Sequence, residues 1–247
     1  MKKSLMLSCA ILLFFGITGI ANAVLIDRGG GLIYDSDLNI TWLQDANYAK
    51  TSNYDSDGLM TWDDAVTWAD QLVYGGYYDW RLPQTLPVNG VNYDYSVSYD
   101  GSTDTGHNIS APGSAYPGST GSEMAYMYYV NLGNLSYYPI DYLSGGSAPQ
   151  SGWGLINTNP FNNLQPYAYW SGTEYSSSSS RARLFNFYHG WQASEEKDYS
   201  DDDYGCGLYA WAVRDGDVST SIPEPATMLL LGFGLIGLAS FKEKFKN

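Results

Sequence analysis

The sequence predicts an α+β domain with short antiparallel strands, two main helices and long loops. Short apolar segments bounded by Gly, Asp and Asn follow residue 24, a pattern typical of small strands joined by turns. Apolar residues then recur at helical spacing in two segments, and apolar and polar residues partly alternate in the last third of the domain. Residues 24–221 are sufficient for one domain with a sizeable core.

Six segments carry the strand pattern. Three open the domain, at residues 25–27, 32–34 and 40–43. Three close it, at residues 167–170, 183–188 and 208–214, and we expect these last three to form one sheet. Residues 83–121, rich in Tyr, Gly, Ser, Asn and Pro, are predicted to be long surface loops, and residues 176–180 and the acidic residues 195–203 to be solvated loops.

The first helix is predicted over residues 62–74. Thr61 can cap its start, and Gly75 and Gly76 can end it. Its apolar side comprises Trp62, Ala65, Val66, Ala69 and Leu72. The second helix is predicted over residues 123–132, with Ser122 as its cap and Gly133 after its end. Its apolar side comprises Met124, Met127, Tyr128 and Leu132, which we interpret as core.

Charge and cysteine content restrict the function. Residues 24–221 contain 7 Lys or Arg and 24 Asp or Glu, a net charge of −17, which argues against nucleic acid as a partner and makes calcium a reasonable ligand. Cys206 is the only cysteine in this segment, so the segment cannot form an internal disulfide or a cysteine-based zinc site. His107 and His189 are too few for a histidine-rich site and are expected to be surface or packed residues.

The N-terminus has the organisation of a secretory signal peptide. Lys2 and Lys3 precede an apolar run over residues 5–20, and Ala21 and Ala23 provide the small residues that signal peptidase needs before Val24. A membrane anchor is the alternative, but the apolar run is short for a span. We therefore expect export, with residues 1–23 removed.

The C-terminus combines a proline-containing motif, an apolar segment and a basic tail. Pro223, Glu224 and Pro225 precede an apolar run over residues 228–241, predicted as a helix, and the basic tail contains Lys242, Lys244 and Lys246. This order resembles the PEP-CTERM sorting signal, which an exosortase cuts near Pro-Glu-Pro. The resemblance implies that residues 222–247 hold the chain transiently in the inner membrane before it reaches the cell surface or extracellular matrix. The alternative is an ordinary tail anchor.

Three further segments resemble one domain family. They are Gly-Tyr-Tyr-Asp-Trp-Arg-Leu-Pro at residues 76–83, Tyr-Trp-Ser-Gly-Thr at residues 169–173 and Ala-Trp-Ala-Val-Arg at residues 210–214. Together they are similar to the Lcl C-terminal domain family, over about residues 25–216. The resemblance implies a C-type-lectin-like fold, and the founding adhesin of that family binds glycosaminoglycans. The chain departs from the family in lacking cysteines in the first helix and last strand, and in having Gly172 within Ser-Gly-Thr.

The residues of these segments have a structural interpretation of their own. Trp80 and Leu82 are expected to pack, Arg81 to reach an acidic partner, and Pro83 to end the element. Trp170 and Trp211 lie in alternating segments and are expected in the core rather than at a ligand.

No motif of a hydrolase nucleophile, a phosphate-binding loop or a zinc protease occurs in the chain. The paired acids Glu195 and Glu196 fall in a predicted loop. We therefore expect no enzymatic activity. The alternative is an extracellular enzyme acting on polysaccharide, which two carboxylates facing each other across an open groove would indicate.

One segment matches part of a calcium-binding loop. Its candidate ligands are Asn53, Asp55, Asp57, Leu59 through its carbonyl, and Asp64. The alternative, which we favour, is a turn at Asp57-Gly58 followed by a helix cap in which Asp64 pairs with Thr61.

Exposed aromatic residues are the predicted glycan contacts, because sugar C–H faces stack on Tyr and Trp rings. The candidates are Tyr93, Tyr95, Tyr99, Tyr188 and Trp191. The alternative is that these rings hold the long loops together. The predicted function is therefore that of an exported surface or matrix protein that binds an exopolysaccharide or other glycan, or that has a structural role.

Overall fold

The computed structural model describes residues 25–201 and 205–218. The predicted signal peptide, with Ala21 and Ala23, and the predicted sorting segment, with Pro223, Glu224 and Pro225, lie outside the described residues. Among the helices in the described part of the chain, none has the length and apolar character needed to cross a membrane.

The described residues form short strands and a few short helices. The strands are β1 (Leu25–Gly29), β2 (Leu32–Asp35), β3 (Ile40–Leu43), β4 (Leu59–Met60), β5 (Val97–Ser98), β6 (Thr105–His107), β7 (Ala168–Glu174), β8 (Arg181–Asn186), β9 (Trp191–Glu196), β10 (Ser200–Asp201), β11 (Gly205–Cys206), β12 (Leu208–Tyr209) and β13 (Val213–Asp215). The helices are α1 (Tyr48–Thr51), α2 (Trp62–Gln71) and α3 (Glu123–Tyr126), with a π-helix over Met127–Asn131 and a 3-10 turn over Tyr142–Ser144. The α+β class is confirmed.

Two main sheets organise the fold. The first has the strand order β1-β2-β3-β13, and the second has the order β4-β12-β7-β8-β9-β6-β5. The three opening strands are confirmed as an antiparallel meander. In the second sheet, β7, β8 and β9 are antiparallel, whereas β12 runs parallel to β7 and β5 parallel to β6.

The expectation that residues 208–214 join one sheet with the two preceding segments is wrong. β12 pairs with β7 in the second sheet, but β13 pairs with β3 in the first. Between them the chain crosses from one sheet to the other through Trp211, which is fully buried. Its indole Nε1 donates to the Leu43 carbonyl at 2.7 Å, and its ring lies 4.5 Å from that of Trp42. This crossing segment joins the two sheets, because its central side chain packs between them.

The first helix starts where it was predicted and ends earlier. The Thr61 hydroxyl accepts a hydrogen bond from the Asp64 N–H, which is an N-terminal cap. The predicted end at residue 74 is wrong, because Gly75 and Gly76 form a two-residue turn instead of a helix end. Both glycines have positive φ, and Tyr74 and Tyr77 exchange two backbone hydrogen bonds of 3.0 Å across the turn.

The second predicted helix is present but changes type halfway. It begins as α3, with the Ser122 hydroxyl accepting from the Ala125 N–H at 3.3 Å. From Met127 it continues as a π-helix, in which the Leu132 N–H donates to the Met127 carbonyl. The predicted apolar side is confirmed as core, since Met124, Met127 and Tyr128 are fully buried. The wider π turn is a local feature that residue periodicity does not predict.

The three segments that carry the family resemblance meet in space. The Gly172 N–H donates to the Pro83 carbonyl at 2.8 Å, and Arg81 and Val213 exchange two backbone hydrogen bonds of 2.8 Å. Trp80 and Leu82 are buried, as expected, and so are Trp170 and Trp211. The structural interpretation of this segment is therefore confirmed.

The long segment over residues 83–121 is loop-rich, as predicted, and contains only β5 and β6 among regular elements. Its predicted place at the surface is wrong for residues 106–111, which are buried. The buried Asp104 carboxylate organises it, accepting hydrogen bonds from the Val88 N–H at 2.7 Å and the Asp94 N–H at 2.8 Å. The predicted acidic loop is partly wrong, because Glu195 and Glu196 belong to β9. Their carboxylates lie 3.6 and 3.8 Å from the Arg181 guanidinium. These pairs of opposite charge stabilise the pairing of β9 with β8.

Candidate aromatic binding surface

Three of the five predicted glycan contacts belong to one connected group of rings, which we call the aromatic cluster. Each member lies within ring-contact distance of at least one other, although the members come from separate parts of the chain. The cluster consists of Tyr99, His107, Tyr137, Tyr138, Tyr142, Trp153, Tyr188, His189 and Trp191. Sequence reasoning identified Tyr99, Tyr188 and Trp191 and missed the others.

The inner part of the cluster is built around His107. Its imidazole stacks on the Tyr99 ring, with centroids 5.8 Å apart and planes 12° from parallel. The Trp191 indole meets the same imidazole edge-on at 4.6 Å. Tyr99 and Trp191 are half-buried, whereas His107 is buried. This part gives the surface rigidity, because each ring is held by at least one other.

The outer part is more accessible. Tyr188 is 46% exposed, and its ring contacts the Trp153 indole edge-on at 5.2 Å. The same indole lies parallel to the His189 imidazole at 6.1 Å and contacts Tyr137 at 4.7 Å. The β8–β9 turn presents Tyr188 here, because the Asn186 side-chain oxygen accepts the Tyr188 and His189 N–H groups. Among the five predicted contacts, Tyr188 is therefore the most exposed residue.

The other two predicted contacts, Tyr93 and Tyr95, lie in a separate group. Their rings stack at 5.4 Å, and Tyr95 also contacts Tyr175 at 4.4 Å. The Tyr93 hydroxyl donates to the Thr85 carbonyl at 3.0 Å, and the Tyr95 hydroxyl is hydrogen-bonded to Ser176. Both rings are half-buried. The structure thus places them where the loop over residues 83–121 packs on the second sheet.

Beneath these rings lies Arg183, which sequence reasoning did not single out. Its side chain is fully buried, and its guanidinium lies 5.4 Å from the centroid of the Tyr95 ring. It donates to the Asp104 carbonyl and, at 3.2 Å, to the Thr105 hydroxyl. No carboxylate forms an ion pair with it in the described residues, and burial lowers the pKa of Arg183. A basic residue between Ala182 and Leu184 in a strand was the available signal.

Both histidines of the chain belong to the aromatic cluster, and His107 is its buried member. The Ser136 hydroxyl is 2.7 Å from His107 Nδ1, and backbone groups of His189 and Gly190 also contact the imidazole. Burial lowers the pKa of His107 to about 4, and burial also lowers the pKa of His189. Ser136 and His107 resemble the nucleophile and base of a hydrolase, but both are buried and no carboxylate orients the imidazole in the described part of the chain. Their arrangement is that of a packed hydrogen-bonded pair.

Three of the candidate calcium ligands, Asp55, Asp57 and Asp64, accept hydrogen bonds from neighbouring residues. The Asp55 carboxylate accepts hydrogen bonds from the Asp57 and Gly58 N–H groups, and the Asp57 carboxylate accepts one from Leu59. The Asp64 carboxylate instead accepts from the Thr61 hydroxyl at 2.7 Å. Asn53 adopts a positive φ of 59°. These contacts match the turn and helix cap of the alternative interpretation. Within residues 25–201 and 205–218, no three His, Cys, Asp or Glu side chains are grouped so that they could hold a metal ion.

Two surface grooves in the described part of the chain can be compared with the groove of a glycosidase. A groove of about 680 Å³ lies between residues 86–91 and 115–121, with no carboxylate in its lining. A smaller groove of about 240 Å³ beside Trp80 and Arg81 contains the single carboxylate of Asp70. Neither groove has the pair of facing carboxylates that a glycosidase needs.

The comparisons with known proteins identify the C-terminal segment. A family model described as the PEP-CTERM protein-sorting motif matches residues 221–242. No curated protein and no solved structure matches the chain. The motif indicates an exported extracellular protein that passes through a membrane-anchored stage and is sorted by an exosortase.

Proposed function

We propose that this exosortase-sorted protein acts at the cell surface or in the exopolysaccharide matrix, where its domain binds glycan through the aromatic cluster. Signal peptidase would first remove residues 1–23, and residues 228–241 would hold the chain in the membrane until sorting. The observation that carries the proposal is the accessible Tyr188 ring, held against Trp153 at the edge of a connected aromatic surface.

The chemistry of the cluster suits a sugar. The C–H faces of pyranose rings stack on aromatic rings, and polar groups beside the rings can bind the hydroxyl groups. Tyr137, Tyr138 and Tyr142 are half-buried and supply ring surface continuous with Tyr188. Because the rings already contact one another, little side-chain freedom is lost on binding.

For the fold, we propose a C-type-lectin-like domain related to the Lcl C-terminal family. The support is that the three segments resembling the family meet through Gly172, Pro83, Arg81 and Val213. This part of the proposal is an analogy of fold.

We propose a binding rather than an enzymatic role. The two grooves described above lack paired carboxylates, and the Ser136–His107 pair is buried. A polysaccharide-acting enzyme would require an acid and a base on either side of a bound sugar, and the aromatic cluster instead presents rings.

Binding of the exported protein to the producing cell's own exopolysaccharide, measured by sedimentation and by glycan array, tests the proposal. We expect Tyr188→Ala to weaken binding about 3- to 10-fold, the loss of one stacked ring. The matched control is Tyr78→Ala, because Tyr78 is 79% exposed and lies outside the cluster. Equal affinity of wild type and Tyr188→Ala, or no binding by wild type, would leave a structural matrix role as the better explanation.

A further inference from the structure

The basic side chains of the domain are almost all engaged. Residues 24–221 contain seven Lys or Arg, all within the described residues. Five are ion-paired, namely Arg28 with Asp217, Arg81 with Glu123 and Asp215, Arg181 with Glu195 and Glu196, Lys197 with Glu174, and Arg214 with Asp79. Arg183 is buried. Only Lys50, on α1, is exposed without an ion pair in the described part of the chain.

The distribution leaves no basic patch for an anionic polymer. Binding of a sulfated or uronic-acid glycan generally needs several unpaired cations on one face, because each contact compensates one anionic group. The described residues have only one exposed lysine without an ion pair, and the net charge of residues 24–221 is −17. Anionic chains would therefore be repelled at low salt.

The aromatic cluster, in contrast, has carboxylates at its edge. Asp100 directly follows Tyr99, Asp141 directly precedes Tyr142, and both acids are exposed. Both acids are thus the immediate chain neighbours of cluster tyrosines whose rings lie 4.9 Å apart. A hydrogen bond from Ser102 lowers the pKa of Asp100, so that this carboxylate keeps its negative charge at mildly acidic pH.

We infer that the glycan bound at the aromatic cluster carries free amino groups, as in a polysaccharide of N-deacetylated amino sugars. This inference rests on the proposed function. Ammonium groups are attracted both by Asp100 and Asp141 and by the faces of Tyr and Trp rings, where cation–π attraction adds to stacking. The acidic surface also raises the local concentration of a cationic polymer.

Three hexasaccharide probes separate charge from stacking: glucosamine hexamer, N-acetylglucosamine hexamer and oligogalacturonate. Affinities are measured with the exported protein at mildly acidic pH, in low and in high salt. We expect the glucosamine hexamer to bind about 10-fold more tightly than its N-acetylated form at low salt, and this preference to fall in high salt as the charges are screened. Oligogalacturonate should bind most weakly.

The variant Asp100→Asn with Asp141→Asn tests the location. We expect it to lose most of the preference for the amino form while keeping its affinity for the N-acetylated hexamer. The control is Asp63→Asn with Asp70→Asn, which removes the same charge from exposed positions of α2 and should retain the preference.

The outcomes distinguish the two claims. Equal affinity for the amino and N-acetylated hexamers, or tighter binding of oligogalacturonate, overturns the inference and leaves glycan binding in place. An identical loss of preference in both double variants also overturns it, because the effect would then come from net charge alone. Absence of binding to all three probes and to the producer's exopolysaccharide overturns the proposed function together with the inference.

Discussion

The carboxylate of Glu123 accepts two hydrogen bonds of 2.8 Å from the guanidinium of Arg81. The same carboxylate accepts the Gln84 N–H at 2.7 Å, so the start of α3 is tied to the Trp-Arg-Leu-Pro segment. The Glu123 side chain is 11% exposed, whereas Asp215, the second partner of Arg81, is 77% exposed. The Arg81 guanidinium therefore has one buried partner, Glu123, and one solvent-exposed partner, Asp215.

Glu123→Gln should lower the free energy of unfolding by about 1–3 kcal/mol, because it leaves a half-buried Arg81 without its bidentate partner. Asp215→Asn is the control and should cost less than about 1 kcal/mol, since an exposed ion pair is screened by water. Urea unfolding of both variants measures the difference. Equal losses of unfolding free energy in the two variants would show that the burial of Glu123 does not strengthen its ion pair with Arg81.

Substitutions at Tyr95 and Tyr188 should affect different properties, the first the stability of the domain and the second glycan binding. Tyr95→Leu removes the ring over the buried Arg183 guanidinium and should lower the free energy of unfolding by about 0.5–2 kcal/mol. Tyr188→Leu, at an exposed position, should leave thermal unfolding nearly unchanged while weakening glycan binding. A large loss of stability in the Tyr188 variant would contradict the assignment of that ring to the binding surface.

Burial of His107 should make stability depend on pH. Its pKa is lowered to about 4 in the folded protein, from an unfolded value near 6.5. The unfolded chain therefore binds more protons between these values, so stability should be full above about pH 6.5 and fall by roughly 3 kcal/mol or less as the pH drops to about 4.

The comparison of pH profiles for wild type and His107→Gln isolates this contribution. The variant should lose most of the pH dependence in that window. His189, whose pKa is also lowered by burial, would leave a smaller residual slope. Parallel profiles for the two proteins would mean that His107 does not control the slope.

Calcium should have little effect on the domain. The Asp55 and Asp57 carboxylates already accept backbone N–H groups, and Asp64 is bonded to Thr61. We expect equal melting temperatures with about 5 mM calcium and with chelator. A calcium site with a dissociation constant of roughly 10⁻³ M would instead raise the free energy of unfolding by about 1 kcal/mol, and the melting temperature with it. A rise that disappears in Asp55→Ala with Asp57→Ala would instead establish a calcium loop.

Sorting predicts a shortened mature chain. If an exosortase cuts near Pro223-Glu224-Pro225, intact mass of surface protein should show that residues 228–247 are absent. Glu224→Ala should block this processing, whereas Glu243→Ala, the same change beyond the apolar run, should allow it. Surface protein that retains Lys246 would indicate a tail anchor.

Local sequence predicted the parts of the fold that depend on neighbouring residues. The opening strands, the Thr61 and Ser122 caps and the buried side of the second helix all follow from short-range patterns. The π turn after Tyr126 and the Gly75-Gly76 turn were missed. In the first case packing decides between an α-helical and a π-helical turn, and in the second between a helix end and a two-residue turn.

The candidate site was predicted only in part. Tyr188 could be proposed as an exposed aromatic residue. Composition could not show that the Tyr95 ring packs over the Arg183 guanidinium and is not free to contact a ligand. The His107–Ser136 contact and the meeting of Tyr99 with Tyr142 join residues that are distant in the chain. No periodicity within a window predicts such contacts.

The sequence alone determined that the protein is sorted, because a sorting signal is a linear segment. The family model of the PEP-CTERM motif matches residues 221–242, which include Pro223-Glu224-Pro225 and the apolar run. The tertiary structure alone decided how the last strands divide between two sheets and which rings form one surface. Trp211 crosses between the sheets, and Tyr188 reaches Trp153, through contacts between distant residues. Such contacts form only when packing brings separate segments together and buries the apolar area they share.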